Sequence, residues 1–240
     1  MPTKIDRFVK QVGRGINRYK MIQEGDRVLL GISGGKDSLV MAYSLAVRLR
    51  WLPVHYHLEA VTVDWIEHPL APEHIEQLEN IFASIKVPFR RISTSIRPPS
   101  FRGKFNCYLC ARNRKRVLFE IAGAENFTSI AFGHHLDDIA ETTLMNIVMQ
   151  GRFATMNPRQ EFFKGRLHVI RPLCLVRESH IRSIADFLEL PEIEIDCPLK
   201  DINIRADIKP IIESLAAINP HVRENILRSL TNIDCEYLPS

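Results

Sequence analysis

The sequence predicts an α/β fold in which a doubly wound parallel sheet carries helical N- and C-terminal appendages. Short apolar runs alternate with helical patterns along most of the chain, which is the order expected of right-handed βαβ units. Apolar residues make up 45% of the 240 residues, enough for a substantial core. A glycine-rich turn directly after the first apolar run is typical of the ligand-binding edge of such a sheet.

The predicted elements follow one another in a regular order. Residues 1–25 contain a basic amphipathic helix, because apolar residues recur there at helical spacing with basic side chains opposite them. We predict strands at 27–32, 58–63, 89–93, 127–132 and 167–170, helices at 38–50, 72–86, 107–124, 137–150 and 177–190, and a loop at 94–106. Residues 26–196 would form the main domain and residues 197–240 a helical appendage.

Charge and cysteine content restrict the class of protein. The formal net charge of +4 is compatible with an anionic partner but does not demonstrate one. No apolar run reaches the ~18 residues of a membrane span, and no secretory signal is visible, so we expect a cytoplasmic protein without membrane association. The five cysteines are an odd number and do not suggest a disulfide framework.

The turn SGGKDS at residues 33–38 lies between a predicted buried strand and a helix. Its two glycines allow the backbone to approach an anion closely, and the helix N-terminus offers free N–H groups. A Walker A loop is excluded, because Leu30 and Asp37 occupy positions where that motif needs glycine and a hydroxyl residue. The turn therefore indicates a phosphate site of another kind, the alternative being an ordinary capped turn.

A second polar motif, GHHLDD at residues 133–138, follows the fourth predicted strand at its carboxyl end. Its adjacent carboxylates, Asp137 and Asp138, could hold Mg²⁺ together with phosphate oxygens. They could instead only cap the following helix. Two histidines beside a carboxylate pair favour a functional role.

Cys107 and Cys110 form a C-x-x-C motif at a predicted helix start. Their spacing puts both thiols on one face, and the helix dipole favours the thiolate. The second C-x-x-C of a zinc ribbon is absent, and Cys197 is a candidate third ligand. We expect Cys174 and Cys235 to be buried free thiols.

A basic run follows the C-x-x-C motif on the same predicted helix. We interpret it as a contact to nucleic-acid phosphates, the alternative being a solvated helix face. The residues concerned are Arg112, Arg114, Lys115 and Arg116.

The SGGKDS turn resembles the signature of the PP-loop, or N-type ATP pyrophosphatase, superfamily, whose members cleave ATP between the α and β phosphates. Together with the C-x-x-C stretch, GHHxDDxxET and the sequence IRPL at 170–173, it resembles the tRNA 2-thiocytidine synthetase-type enzymes. This resemblance implies catalytic roles for Lys36, Asp37, Asp137 and Asp138. It implies nucleotide binding by Ser33, Gly34, Gly35, Lys36, Asp37, Ser38, Asp64, Gly133 and His134.

The resemblance also implies ATP, Mg²⁺ and a [4Fe–4S] cluster held by Cys107, Cys110 and Cys197, with tRNA as substrate. A cysteine desulfurase or another sulfide donor and a homodimer belong to the same expectation. The downstream cysteine site departs from the family pattern, since Lys200 and Asp201 stand where a second cysteine and a glycine often occur. The alternatives are a 2-thiouridine-type sulfurtransferase, a lysidine-synthetase-like ligase, and a non-catalytic nucleotide- or redox-sensing module.

Overall fold

The computed structural model describes residues 3–97, 106–191, 193 and 204–237. Six strands form one sheet: β1 (Arg27–Ile32), β2 (His57–Trp65), β3 (Phe89–Thr94), β4 (Ser129–Ala131), β5 (Arg159–Phe162) and β6 (Leu167–Ile170). The helices are α1 (Lys4–Arg18), α2 (Lys36–Leu49), α3 (Pro72–Ser84), α4 (Cys107–Ala124), α5 (Leu136–Gln150), α6 (Glu178–Phe187), α7 (Ile204–Ile218) and α8 (Val222–Ser229), followed by a 3-10 turn at Cys235–Tyr237.

The strand order is β3-β2-β1-β4-β6-β5, and the first five of these strands run parallel. This confirms the predicted doubly wound sheet. The order reverses between β1 and β4, so the loops after these two strands open into the crevice where such sheets bind ligands. Both predicted motifs, at 33–38 and 133–138, span these two loops and the first residues of the helices that follow them, α2 and α5.

Two differences from the predicted elements have local causes. Strand β5 was not predicted, because it has no continuous apolar run. It pairs antiparallel with β6 at the sheet edge, where Gln160 and Glu161 are exposed. Strand β4 is shorter than predicted at its N-terminal end. There the Phe127 N–H donates to Ala122 O at 2.9 Å and closes the end of α4.

Burial on both faces explains the apolar character of β1. Val28, Leu30 and Ile32 pack in one core cluster with apolar residues of α1, α2, α3 and α6. Leu29 points to the opposite face, where it packs with apolar residues of α4. A strand covered by helices on both faces is apolar throughout. The apolar run within residues 27–32 therefore predicted β1 clearly from the sequence.

The C-terminal helices α7 and α8 confirm the helical character predicted for the end of the chain. They pack against α5, where Ile208 and Ile212 bury their side chains beside Ala140. Two charged contacts fix them further: the Arg223 Nε donates to Asp137 Oδ1 at 2.5 Å, and the Lys209 Nζ donates to Glu178 Oε2 at 2.7 Å. The boundary predicted between residues 196 and 197 lies outside the described residues. None of the described helices is both long and apolar enough to cross a membrane.

Glu178, the first residue of α6, gives the fold a testable pH dependence. Burial alone would raise the pKa of Glu178, but hydrogen bonds from Lys209 and Lys36 outweigh it and lower the pKa from 4.5 to about 2. Because the folded-state pKa is depressed, this stabilisation is fully present above about pH 4.5 and disappears as the pH falls towards 2.

We therefore predict that Glu178→Gln lowers the free energy of unfolding at neutral pH by about 2 kcal/mol. The difference from wild type should shrink steadily below about pH 4.5, as measured by urea unfolding at a series of pH values. Glu120→Gln is the matched control, since it removes an exposed i,i+4 pair with Arg116 and should cost less than about 0.5 kcal/mol. A loss for Glu178→Gln that is independent of pH would contradict the assignment.

Candidate functional site

The phosphate turn, residues 33–38, is shaped by its glycines and serines. Gly34 adopts φ +86°, a left-handed conformation that favours glycine. The Ser38 Oγ donates to Gly35 O at 2.8 Å, and the Ser33 N–H donates to Ser38 Oγ at 3.3 Å. Gly35 is the N-cap of α2 and brings no side chain to the helix N-terminus, which therefore stays accessible to an anion.

A cavity of about 260 Å³ opens beside this turn. Apolar side chains form one part of its wall and polar groups the other, which suits a ligand with an aromatic ring and charged phosphates. Its lining comprises Gly31, Ile32, Ser33, Asp37, Ser38, Val61, Val63, Ala111, Arg114, Lys115, Leu118, Phe132, Gly133, His134 and Asp138.

Gly133 brings the second motif against the phosphate turn. A Cβ atom added at Gly133 would lie 2.9 Å from the backbone carbon of Asp37 and 2.9 Å from the Ser38 nitrogen. Only glycine permits this approach without displacing backbone. The close approach places His134 and Asp138 in the wall of the same cavity as Asp37.

Asp37 and Asp138 form an acidic pair around His135. The His135 Nε2 lies 4.0 Å from Asp37 Oδ1 and 3.5 Å from Asp138 Oδ2. Burial raises the pKa of Asp37, and the charges of Asp138 and Glu178 raise it further, whereas His135 and Lys36 oppose them. Within the described part of the chain, the buried Asp37 Oδ1 accepts no hydrogen bond. A divalent cation would satisfy this oxygen, and the donor set suits Mg²⁺ with phosphate oxygens as further ligands.

Asp137 is adjacent to Asp138, but its side chain contacts α6 and α8 and does not line the cavity. Its Oδ2 accepts from the Glu178 backbone N–H at 2.7 Å, and its Oδ1 accepts from Arg223. It lines a separate charged crevice with Glu178, Lys209 and Arg223. The geometry therefore gives Asp137 a role in attaching α6 and α8 to the site, and its catalytic role stays a prediction.

Lys36, the first residue of α2, forms an ion pair with Glu178, the first residue of α6. The Lys36 Nζ lies 3.2 Å from Glu178 Oε1 and 3.7 Å from Asp37 Oδ1. The same Glu178 oxygen accepts from Arg182 at 3.1 Å, so the carboxylate is shared among three cations including Lys209. Glu178 and Arg223 were not among the predicted site residues, because they lie 142 and 187 positions from Lys36 in sequence and form no local motif with it.

The four residues of the basic run on α4 have two different environments, since two of them line the cavity and two do not. Arg114 and Lys115 line the nucleotide-sized cavity, with the Arg114 guanidinium 5.9 Å from the Trp65 ring centroid and the Lys115 Nζ 5.8 Å from that of Phe132. Arg112 and Arg116 are exposed, and Arg116 pairs with Glu120. The geometry favours nucleotide contact for the first two residues, and RNA contact stays a prediction for all four.

Asp64 is buried at the end of β2, next to the cavity rather than in its wall. Its Oδ1 accepts from the Leu70 N–H at 2.8 Å, and its Oδ2 lies 3.6 Å from the Arg91 guanidinium. The carboxylate thus holds the β2–α3 loop in place. Nucleotide binding by Asp64 stays a prediction.

The C-x-x-C motif opens α4 beside the cavity. Cys107 is the first residue of this helix, whose N-cap Asn106 accepts from the Leu109 N–H at 3.0 Å, and Cys110 is half-buried. Ala111, the next residue, lines the cavity. The third predicted ligand, Cys197, lies outside the described residues. The residues described here contain no group of three His, Cys, Asp or Glu side chains arranged around a common metal position.

The two remaining cysteines differ from each other. Cys174 is buried as predicted, and burial raises the pKa of its thiol to about 12, so it stays protonated. Cys235 is exposed in the 3-10 turn near the chain end, and the prediction that it is buried was wrong. The described residues around it, 231–236, are all exposed, so no packed layer covers the thiol.

Comparison with known proteins agrees with this geometry. Residues 3–194 match the model of the PP-loop domain family. A tRNA-cytidine(32) 2-sulfurtransferase of Burkholderia ambifaria is 35% identical over 233 residues, covering 95% of this chain and 69% of the relative. A protein of the same name from Paraburkholderia phymatum is 33% identical and is covered to 68%.

Among solved structures, the U34-tRNA thiolase NcsA from Methanococcus maripaludis with its [4Fe–4S] cluster aligns with a TM-score of 0.75 at 23% identity, covering 97% of this chain and 80% of the thiolase. NMN synthetase from Francisella tularensis aligns with a TM-score of 0.52 at 16% identity, with 99% and 97% covered. At these identities the likeness concerns the fold alone. The family match and the sequence relatives together show that the chain belongs to the PP-loop domain family and, within it, to the family of the tRNA-cytidine(32) 2-sulfurtransferases.

Proposed function

We propose that this chain is an ATP-dependent tRNA sulfurtransferase that converts a cytidine of tRNA to 2-thiocytidine. The observation that carries the proposal is the position of α4. This one helix begins with Cys107 and Cys110 and, one turn later, contributes Arg114 and Lys115 to the cavity beside the phosphate turn. This position supports sulfur chemistry and nucleotide chemistry at a single site. The names of the curated relatives support the same activity.

Two displacement steps account for the reaction. In the first, the C2 oxygen of the base attacks the α phosphorus of ATP, an O–P bond forms and pyrophosphate leaves. In the second, sulfide forms a bond to C2 and AMP departs with the former C2 oxygen. Adenylation is required because a base carbonyl oxygen does not leave unaided, whereas AMP does. The cavity would hold the nucleotide during both steps.

The polar side chains of the cavity have separable roles in the first step. The phosphate turn and the α2 N-terminus would bind the departing pyrophosphate, and Lys36 would neutralise its charge. Asp37 and Asp138 would hold Mg²⁺, which neutralises phosphate charge when bound. The Arg114 Nε is buried without a hydrogen-bond partner among the described residues, and Arg114 lines the cavity, so we assign it to nucleotide binding.

The sulfur half of the site would use Cys107, Cys110 and Cys197. Cys107 and Cys110 are suited to a [4Fe–4S] cluster, because positions i and i+3 in the first turn of a helix share one face at its positive end. Held by these three cysteines, the cluster would supply a binding place for exogenous sulfide. A persulfide on one of these cysteines is the competing mechanism. A cysteine desulfurase or another sulfide donor, a homodimer and a cytoplasmic location are part of the proposal.

A lysidine-synthetase-like ligase is the main alternative, since it shares both polar motifs. It would leave the cysteines at the start of α4 without a role. A non-catalytic sensor is less consistent with an intact phosphate turn. It is also less consistent with the buried Asp37 Oδ1, which accepts no hydrogen bond from the residues that the structure describes. Uridine in place of cytidine as the target is distinguished by analysis of the product nucleoside.

We predict that Lys36→Ala and Asp37→Ala abolish adenylation, because the first removes a cation from the phosphate site and the second removes a proposed Mg²⁺ ligand. Loss of roughly a hundredfold or more in tRNA-dependent ATP–pyrophosphate exchange is expected. Arg50→Ala, at the exposed far end of α2, serves as control and should retain wild-type exchange. Normal exchange by both site variants would exclude the phosphate turn as the ATP site.

We predict that anaerobically purified protein contains iron and labile sulfide. Alanine at Cys107, Cys110 or Cys197 should remove the cluster and thiolation together, whereas alanine at Cys174 or Cys235 should retain both. Iron and sulfide analysis, electronic spectra and product nucleoside mass provide the measurements. Stoichiometric zinc without iron, or full thiolation by Cys197→Ala, would rule out the cluster assignment.

The division of the basic run makes a further prediction. Arg114→Gln should weaken ATP binding by roughly tenfold, the effect of losing one charge-assisted hydrogen bond. Arg112→Gln should leave ATP affinity unchanged and reduce the log–log salt slope of tRNA binding by roughly one unit. Calorimetry with ATP and fluorescence anisotropy with tRNA measure the two effects. The same response from both variants would mean that the two arginines act at one site.

A further inference from the structure

The solvent face of α1 is a basic stripe. Arg7, Lys10, Arg14 and Arg18 recur at helical spacing and are all exposed. Eleven residues separate the first from the last, so the stripe is about 16 Å long. Within the described residues none of these four side chains lies within ion-pair distance of a carboxylate.

The stripe continues into a groove between α1 and α8. This groove, with a cavity volume of about 340 Å³, is lined by Arg14, Arg18 and Arg228. Glu224, the one carboxylate in its lining among the residues that the structure describes, already accepts hydrogen bonds from Arg177 at 2.9 and 2.8 Å. The charge of Glu224 is thus compensated from outside the groove, and three guanidinium groups remain for an external anion.

We infer that the α1 stripe and the α1–α8 groove, together called the α1–α8 surface, bind the phosphate backbone of the tRNA away from the target base. Repeated, evenly spaced cations without carboxylate partners are complementary to a polyanion, and guanidinium groups pair with phosphate through two N–H donors. The inference rests on the proposed function, because tRNA is its stated partner. It adds a second contact region, separate from the exposed arginines of α4.

The position of the groove connects this surface with the reaction site. Leu136, the first residue of α5, lines the groove and directly precedes Asp137 and Asp138 of the second motif. Backbone bound along α1 and α8 would therefore pass close to α5, the helix that carries Asp138. A contact at this place can orient the tRNA without reading its sequence.

An anionic membrane surface is the other polyanion to consider, and the structure favours RNA. The apolar face of α1 is already covered, because Phe8, Val12 and Ile16 are buried in the core. An interfacial membrane helix needs such a face for insertion between lipid headgroups. The α1 helix offers charge only.

The test compares two triple variants of equal charge change. Arg14→Gln, Arg18→Gln and Arg228→Gln together neutralise the groove. The control triple Arg152→Gln, Lys164→Gln and Arg166→Gln neutralises exposed cations after α5 and in the β5–β6 turn. Binding of unmodified tRNA transcript is measured by fluorescence anisotropy across a KCl series. ATP affinity of both variants checks that the nucleotide site is intact.

The groove triple should bind tRNA about ten- to a hundredfold more weakly at low salt, with a log–log salt slope reduced by roughly two units, and the control triple should resemble wild type. Equal effects of the two triples, or no effect of the groove triple, would overturn the inference while leaving the proposed activity in place. Binding of wild type to phosphatidylserine vesicles but not to tRNA would also overturn it. Absence of thiolation by a wild-type protein that binds tRNA through this surface would refute the proposed function instead.

Discussion

The contact between Gly133 and the first turn of α2 is the constraint on which the site depends. The loops after the neighbouring parallel strands β1 and β4 meet there. They are so close that a Cβ atom added at Gly133 would lie 2.9 Å from backbone atoms of Asp37 and Ser38. This approach brings Asp138 next to Asp37 and closes the cavity between the phosphate turn and α4. A larger residue would separate the acidic pair. The sheet places the two loops side by side, and they form a single site because they approach each other this closely.

A chain of charged contacts joins the C-terminal helices to the same site. Lys36 contacts Glu178, the Glu178 backbone N–H donates to Asp137, and Asp137 accepts from Arg223 on α8. Lys209 on α7 holds the other oxygen of Glu178. The phosphates of ATP would compete with Glu178 for Lys36, so nucleotide binding would redistribute charge along a path that reaches both helices. The C-terminal helices are therefore part of the site's framework.

Much of the fold followed from sequence, because buried parallel strands and amphipathic helices have strong local patterns. Strand β5 was not predicted from the sequence, because its pairing with β6 depends on a hairpin at the sheet edge rather than on an apolar run. The motifs located the site, but they could not separate Asp137 from Asp138. Adjacent residues on a helix point in different directions, and only the packing of α6 and α8 determines which one meets the cavity. Partners remote in sequence, such as Arg223, leave no local signal.

The central claim is that this site thiolates tRNA through adenylation. Mass analysis of nucleosides from the tRNA of cells lacking the chain tests it most directly. The account predicts the loss of 2-thiocytidine, restored by the wild-type gene but not by genes encoding Lys36→Ala or Cys107→Ala. A complete set of thiolated nucleosides in the deletion strain, or the loss of lysidine with thiolation intact, would contradict it.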